Sequence, residues 1–333
     1  MLPQGLRIRC LSQFQKFAAP ARRLTAARGA QPDSARPGPN LRGPTLSGKV
    51  IAVIFLLAAL LSQRQAAAQD RARGLVDRTV ANQHRDDDAL YFYERVQRRI
   101  EYDGAALASD NTYRLVPTGT GRLSLLVKRG HQPVNLDLYR KELRDWQEVL
   151  THAIDPNDPR QQRSADQRKR MDHDRAELID AIGRAFRLTW LGETTESGRT
   201  LARIRFDPDP AFVPPSRETE LLRHVRATVW IDEQAAQLAR GEAEVASDIS
   251  AGGGLIGKIY AGGRFAIEQR EAGPGVWLPA RVEYSLRGRK FFIGFNEHKV
   301  TVTGRYRYIG VPLQALQAVR ADLASGRGFP ADP

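Results

Sequence analysis

The chain has 333 residues, 41% of them hydrophobic, which is room for one large domain or two small ones. It carries 51 Lys and Arg against 38 Asp and Glu, a formal +13 that points first to nucleic acid. That reading fails on position: residues 1–68 hold ten of the basic residues and one acid, leaving 41 basic and 37 acidic, or +4, for the rest. Nucleic acid is therefore not an expected partner.

The leader comes first. Val50–Leu61 is an uncharged apolar run of about twelve residues, short of the roughly twenty that span a bilayer as a helix. Arg42 and Lys49 precede it, and Ala66-Ala67-Ala68 supplies small residues behind it. Positive flank, short apolar core and small-residue site predict a signal peptide cleaved after Ala68, with Gln69 as the first mature residue. Residues 1–48 are long for an n-region, and their Arg-rich, acid-poor character also fits a mitochondrial presequence. Cys10, the single cysteine, lies in this leader, so the mature chain is expected to have no disulfide or cysteine metal site. The expected location is the periplasm, with residues 69–333 as one domain.

The mature chain begins with a predicted short helix over Gln69–Gln83, followed by Asp86-Asp87-Asp88, read as a solvated run. The period then changes to two, and residues 90–103 predict a long strand. Tyr113–Val116 and Leu123–Lys128 predict two more around a Pro117–Gly121 turn, a meander that favours antiparallel pairing. Leu143, Trp146, Val149 and Leu150 recur at helical spacing and predict a helix over 137–153. Residues 155–172 are dense in Asp, Gln, Arg and Lys and read as a polar linker. A second helix is predicted over 174–185. From 186 to 308 the alternation is nearly all strand, with glycine breaks at 252–254, 262–263, 273–275 and 288, and Leu313–Ala324 closes as an amphipathic helix. About ten strands with two interrupting helices predict a mainly β (α+β) protein built on one large curved sheet.

No reaction chemistry is legible. Gly252–Lys258 matches G-x-x-x-x-G-K, but Ile259 stands where Ser or Thr should hold Mg²⁺, and strand-like alternation follows instead of a helix. His173 between Asp172 and Asp174 lacks a second ligand pair, and neighbouring residues on a helix diverge. Ser216 and Ser247 sit in no G-x-S-x-G elbow, and Glu242 and Glu244 are two apart on a strand. The chain therefore reads as a non-enzyme, with no catalytic residue, metal ligand or cofactor assigned.

Aromatics remain. Trp230, Tyr260, Phe265, Trp277 and Phe295 lie on predicted strands, and Trp230 and Trp277 have the parity opposite to their strands' aliphatic residues. A sheet that is apolar on both faces needs a cover on each, either helices or a ligand. These five residues are the candidate lining of a ligand-binding cavity.

Signal peptide, helix, meander, helices, then Trp230-Ile231-Asp232 and Gly275-Val276-Trp277-Leu278-Pro279 resemble the periplasmic LolA/LolB-type proteins, including outer membrane lipoprotein-sorting relatives. The segment Phe206–Pro210 also suits that group, and the similarity covers residues 85–308. The resemblance implies a half-open antiparallel β-barrel with helices covering its concave side, and an apolar cavity for the acyl chains of a lipid or lipoprotein. It implies a carrier in transient contact with the inner or outer membrane. The alternative is an envelope interaction or scaffolding protein with the same fold and a filled cavity.

Overall fold

The computed structural model describes residues 48–333 other than 156, 252–256, 292, 327–328 and 331, with side chains from Ala66 onward apart from Ala251. The expectations for residues 1–47, including Cys10, and for the glycine break at 252–254 lie outside the described residues. Among the described residues no helix is long and apolar enough to cross a membrane.

Helix α1 (Gly48–Ala89) leads through a 3-10 turn, Leu90–Phe92, into β1 (Tyr93–Asp103). A meander follows through β2 (Ala106–Pro117), β3 (Arg122–Arg129) and the two-residue β4 (Gln132–Pro133). Helices α2 (Leu136–Ile154) and α3 (Pro159–Ala185) carry the chain to the far side of the molecule. There β5 (Phe186–Glu196), β6 (Arg199–Pro208), the short α4 (Arg217–Glu220), β7 (Val225–Asp232) and β8 (Gln237–Val245) begin a second meander. It continues through β9 (Ile249–Ala251), β10 (Gly257–Ile259), β11 (Arg264–Gly273), β12 (Val276–Lys290) and β13 (Ile293–Tyr308), and α5 (Pro312–Ala324) ends it.

All pairings among the described residues are antiparallel, in the order β4-β3-β2-β1-β13-β12-β11-β8-β7-β6-β5, with β10 attached to β12 and β9 to β10. The sheet does not close: β4 and β5 are its edges, and β1 pairs with β13 to join the two meanders. Ten of the thirteen strands have eight residues or more, which is the set that alternation made visible; β4, β9 and β10 are too short to show a period.

Directly paired residues point to the same face, so the register assigns every side chain. One ladder runs Trp190, Ile204, Val229, Gly241, Ile267, Val282, Thr301, Arg99 across β5 to β1. A second runs Leu188, Phe206, Ala227, Ala243, Phe265, Tyr284, Lys299, Glu101. Helices α1 and α3 pack on this face, here called inner, burying Leu75, Val76, Ala181 and Ala185 against Phe186, Leu188, Ile204 and Phe206. Helices α2 and α5 pack on the outer face of β2 and β3, burying Tyr139, Leu143, Leu150, Leu316 and Val319 against Val116 and Leu125. Two cores thus share one sheet from opposite sides.

Two expectations need correction. Residues 155–172 are not a linker: from Pro159 they are the first half of α3, started by Asp158, whose carboxylate accepts from the Arg160 amide at 2.7 Å. The triplet at 86–88 is not simply solvated, because Asp86 is fully buried, while Asp88 is exposed. Asp86 Oδ2 accepts the Trp277 backbone N–H at 3.1 Å and pins the end of α1 to the start of β12. The predicted helix over Gln69–Gln83 is the described, packed part of α1, whose first fully buried side chain is Ala72.

Candidate functional site

The inner face changes character along each ladder. From β5 to β12 it is apolar; from β13 to β3 it carries Thr301, Thr303, Lys299, Gln97, Arg95, Arg99 and Arg122. The core that α1 and α3 form with the apolar half is centred on β5–β7, and the end of α1 continues to the starts of β8 and β12. Next to that cover, Ala243, Phe265, Ile267, Val282, Leu286 and Phe295 are half-buried and belong to neither core, with the more buried Tyr284 beside them. They form a continuous apolar stripe over β8, β11, β12 and β13. Gly241 lies within it, and a Cβ there would stand 3.2 Å from Ile267 Cγ2, so the stripe dips where the glycine sits.

The five aromatics separate. Phe265 stands on the inner face between Ala243 and Tyr284. Phe295 stands on the same face opposite Gly288, and its ring occupies the space that a Cβ on Gly288 would need, 2.6 Å from Cζ. Trp230 pairs with Arg203 and Arg240 on the outer face, away from the stripe, with the Arg240 guanidinium 4.7 Å above its ring. Tyr260 follows β10 in a loop, 39% exposed, with Lys258 Nζ 5.7 Å from its ring. Trp277 is buried at the start of β12, under the Arg199 guanidinium at 5.0 Å and bonded through its amide to Asp86. Phe265 and Phe295 therefore share a surface, and the other three do not join them. Ile267, Val282 and Leu286 complete that surface; as ordinary alternating aliphatics they gave no separate signal.

The two sequence motifs act at one end of the sheet. Asp232 of Trp-Ile-Asp is buried, accepts the Ala235 amide at 2.9 Å and pairs with Arg199 at 2.9 Å, closing the β7–β8 turn. Gly275 turns with φ +69°, and its carbonyl accepts from Arg85 at 2.9 Å and Gln237 at 3.3 Å. The Pro279 carbonyl accepts from Tyr306 Oη at 2.7 Å. These residues hold α1 across the sheet end.

On the outer face, Arg114 is buried between Glu94, Asp322 and the Tyr139 hydroxyl. Burial opposes its charge, but the two carboxylates and Tyr139 outweigh it and hold the guanidinium above its ordinary value. Beside the 3-10 turn, α3 contributes Arg168, stacked 3.8 Å from the Tyr91 ring, and Asp172, which accepts from Tyr91 Oη at 3.0 Å. Arg175 pairs with Asp87 at 3.6 Å, and burial pushes that carboxyl above its usual range despite the pair.

Chemistry of bond breaking finds little support. Among the described residues no three His, Cys, Asp or Glu converge as metal ligands. His224 Nδ1 lies 2.8 Å from Ser247 Oγ at the surface, but among the described residues no carboxylate orients the other imidazole nitrogen. Ser216 caps α4.

No protein-family model and no curated protein matches the sequence. Among solved structures, the chain is similar to a DUF1329 family protein from Desulfovibrio piger, at 10% identity and a TM-score of 0.28, over 72% of this chain and 92% of that one. It is similar to a LolA superfamily protein from Nitrosomonas europaea at 7% identity and TM-score 0.28, over 76% and 96%. A putative outer membrane lipoprotein-sorting protein domain from Vibrio parahaemolyticus gives 7% identity and TM-score 0.29, over 70% and 93%. Likenesses at this level carry no argument about ligand or partner, which must come from the inner face itself.

Proposed function

We propose that the chain is an exported, non-enzymatic carrier of the periplasm that holds acyl chains of a lipid or lipoprotein against the apolar stripe of its inner face. The observation that carries this reading is the stripe: a run of half-buried apolar side chains across four strands, outside both cores. Apolar surface of that continuity is costly in water, at about 25 cal/mol per Å², and is relieved by an apolar ligand. Export is supported by the order of features in α1. Ala66 and Ala67 are exposed, and the first buried residue among those with described side chains, Ala72, comes after them, so cleavage after Ala68 would leave the described packed part of the helix intact.

The test is lipid extraction and native mass spectrometry of protein purified from an envelope fraction. Bound lipid or acylated protein is expected, lost when Phe265 and Ile267 are both replaced by Ser. Protein that emerges ligand-free, refuses an added fluorescent fatty acid and instead retains a stable protein partner would replace the carrier by an envelope scaffolding protein.

A further inference from the structure

Three guanidiniums lie on the β1–β3 side of the inner face, and one of them, Arg99, keeps a buried nitrogen without an acceptor. Arg95 and Arg99 are 4% and 5% exposed, and Arg122 is half-buried. The ladders place all three on one face: Arg95 and Arg99 are four apart on β1, and Arg122 on β3 faces Pro117, two residues from Leu115, the partner of Arg95. Arg95 Nη1 donates to the carbonyls of Tyr93 at 3.0 Å and Leu90 at 3.4 Å. Arg99 Nε donates to Gln97 Oε1 at 2.6 Å, and its guanidinium lies 4.6 Å from the Tyr113 ring. Arg99 Nη1 is buried with no acceptor. Arg95 and Arg122 face no carboxylate in an ion pair among the described residues; Glu101, two residues along from Arg99 on the same face, pairs with Lys299, and its charge favours the protonated form of Arg99.

Arg114 shows what this sheet does with an arginine it keeps for structure. It has comparable burial and two carboxylates, and its charge is favoured. Burial, and then the charge of Arg122, push Arg95 and Arg99 down to about 10, and burial lowers Arg122 as well. A guanidinium with a value near 10 is still protonated at neutral pH, so the cluster keeps about three positive charges in a poorly solvated place. A buried charge is costly, and the charge of Arg122 adds to the cost at Arg95 and Arg99, which Glu101 offsets only in part at Arg99. Such an arrangement is stable when a negative group shares it.

We propose that Arg95, Arg99 and Arg122 form a binding site for a phosphate-type oxyanion, with Arg99 Nη1 as a donor awaiting its acceptor. Three cations match a dianion better than a single carboxylate, and planar guanidinium forks bind phosphate oxygens in pairs. The ladder Val282, Thr301, Arg99 sets the site two strands from the apolar stripe, about 10 Å. That spacing suits the phosphate of a lipid headgroup whose chains lie on the stripe; a free phosphate or soluble phosphomonoester would use the same donors. The anion site rests on the arginines and stands whether or not the stripe holds lipid.

The test uses the full chain in low-salt, chloride-free buffer. Titration calorimetry and thermal unfolding are followed with inorganic phosphate, and co-sedimentation with phosphatidylcholine vesicles with and without phosphatidic acid. Saturable heat and a rise in Tm with inorganic phosphate are expected, with affinity falling at least tenfold in Arg122→Gln and Arg99→Gln but not in the outer-face control Arg240→Gln. Binding only to phosphatidate-containing vesicles, lost in the same two variants, assigns the site to a lipid headgroup. If Arg99→Gln does not fold, the half-buried Arg122→Gln gives the same reading. The proposal is overturned if wild type responds to neither phosphate nor phosphatidate, or if Arg122→Gln binds both as wild type does. The Phe265→Ser, Ile267→Ser variant should keep its phosphate response, which separates failure of the carrier reading from failure of the anion site.

Discussion

Arg114 and Arg99 stand on neighbouring strands of the same sheet, on opposite faces, and their surroundings give them opposite characters. As letters they are indistinguishable, since an arginine every second residue on a strand reads as a solvated edge. Only the pairing of β1 with β2 and β13 shows that both are buried. The same limit applies to Trp230: parity gave its phase relative to Val229, but not which phase faces α1. Asp86 was hidden for another reason, because an acidic triplet looks hydrated unless the amide it caps, 191 residues later, is known. A buried acceptor of that kind has a measurable weight. Asp86→Ala leaves the Trp277 amide unsatisfied and should lower unfolding free energy by about 1–3 kcal/mol. The exposed Asp88→Ala should change it by less than about 0.5 kcal/mol in the same denaturant titration. Equal effects from the two would remove Asp86 from this role.

At the scale of elements, α3 explains why sequence reasoning broke at one place and held elsewhere. Strands such as β7 and β12 were legible because one of their faces meets apolar partners and the other meets solvent, which writes a period of two. The second half of α3 was legible for the same reason, with Leu178, Ile179 and Ile182 on its packed side. Its first half packs beside the end of α1 and the 3-10 turn, where Arg168, Asp172 and Arg175 meet Tyr91 and Asp87, so helical packing there needs no apolar residue. Composition signalled a linker because it records hydrophobicity, and this contact has little. The two halves should respond differently to substitution. Ile179→Ala, at a buried position, is expected to cost about 2–5 kcal/mol. Lys169→Ala, at an exposed one, should cost less than about 0.5 kcal/mol, with helical circular dichroism retained. Loss of helix content in the Lys169 variant would mean that the first half is held by something other than its capped end and its polar contacts.

At the scale of the whole molecule, the described residues form one sheet and two cores, one packed by α1 and α3 on the inner face, the other by α2 and α5 on the outer. Because β1 and β13 join the two meanders, neither core rests on a sheet of its own. Unfolding should therefore be a single transition. Leu188→Ala in the first core and Leu316→Ala in the second, each costing about 2–5 kcal/mol, should move the same urea midpoint by far-ultraviolet circular dichroism and by tryptophan fluorescence. Two separated midpoints would show that the halves melt as independent units. The joint between β1 and β13 also bears on how the protein is made. A chain that emerges from a ribosome or a translocation channel N-terminus first presents β1 early and its partner last, more than 190 residues later by the Glu101–Lys299 pairing. Until β13 arrives, the central seam of the sheet is open and each meander has an unpaired margin. The fold thus contains its own delay, keeping a nascent chain in separable halves for most of its passage and completing the molecule only when the final strand is free.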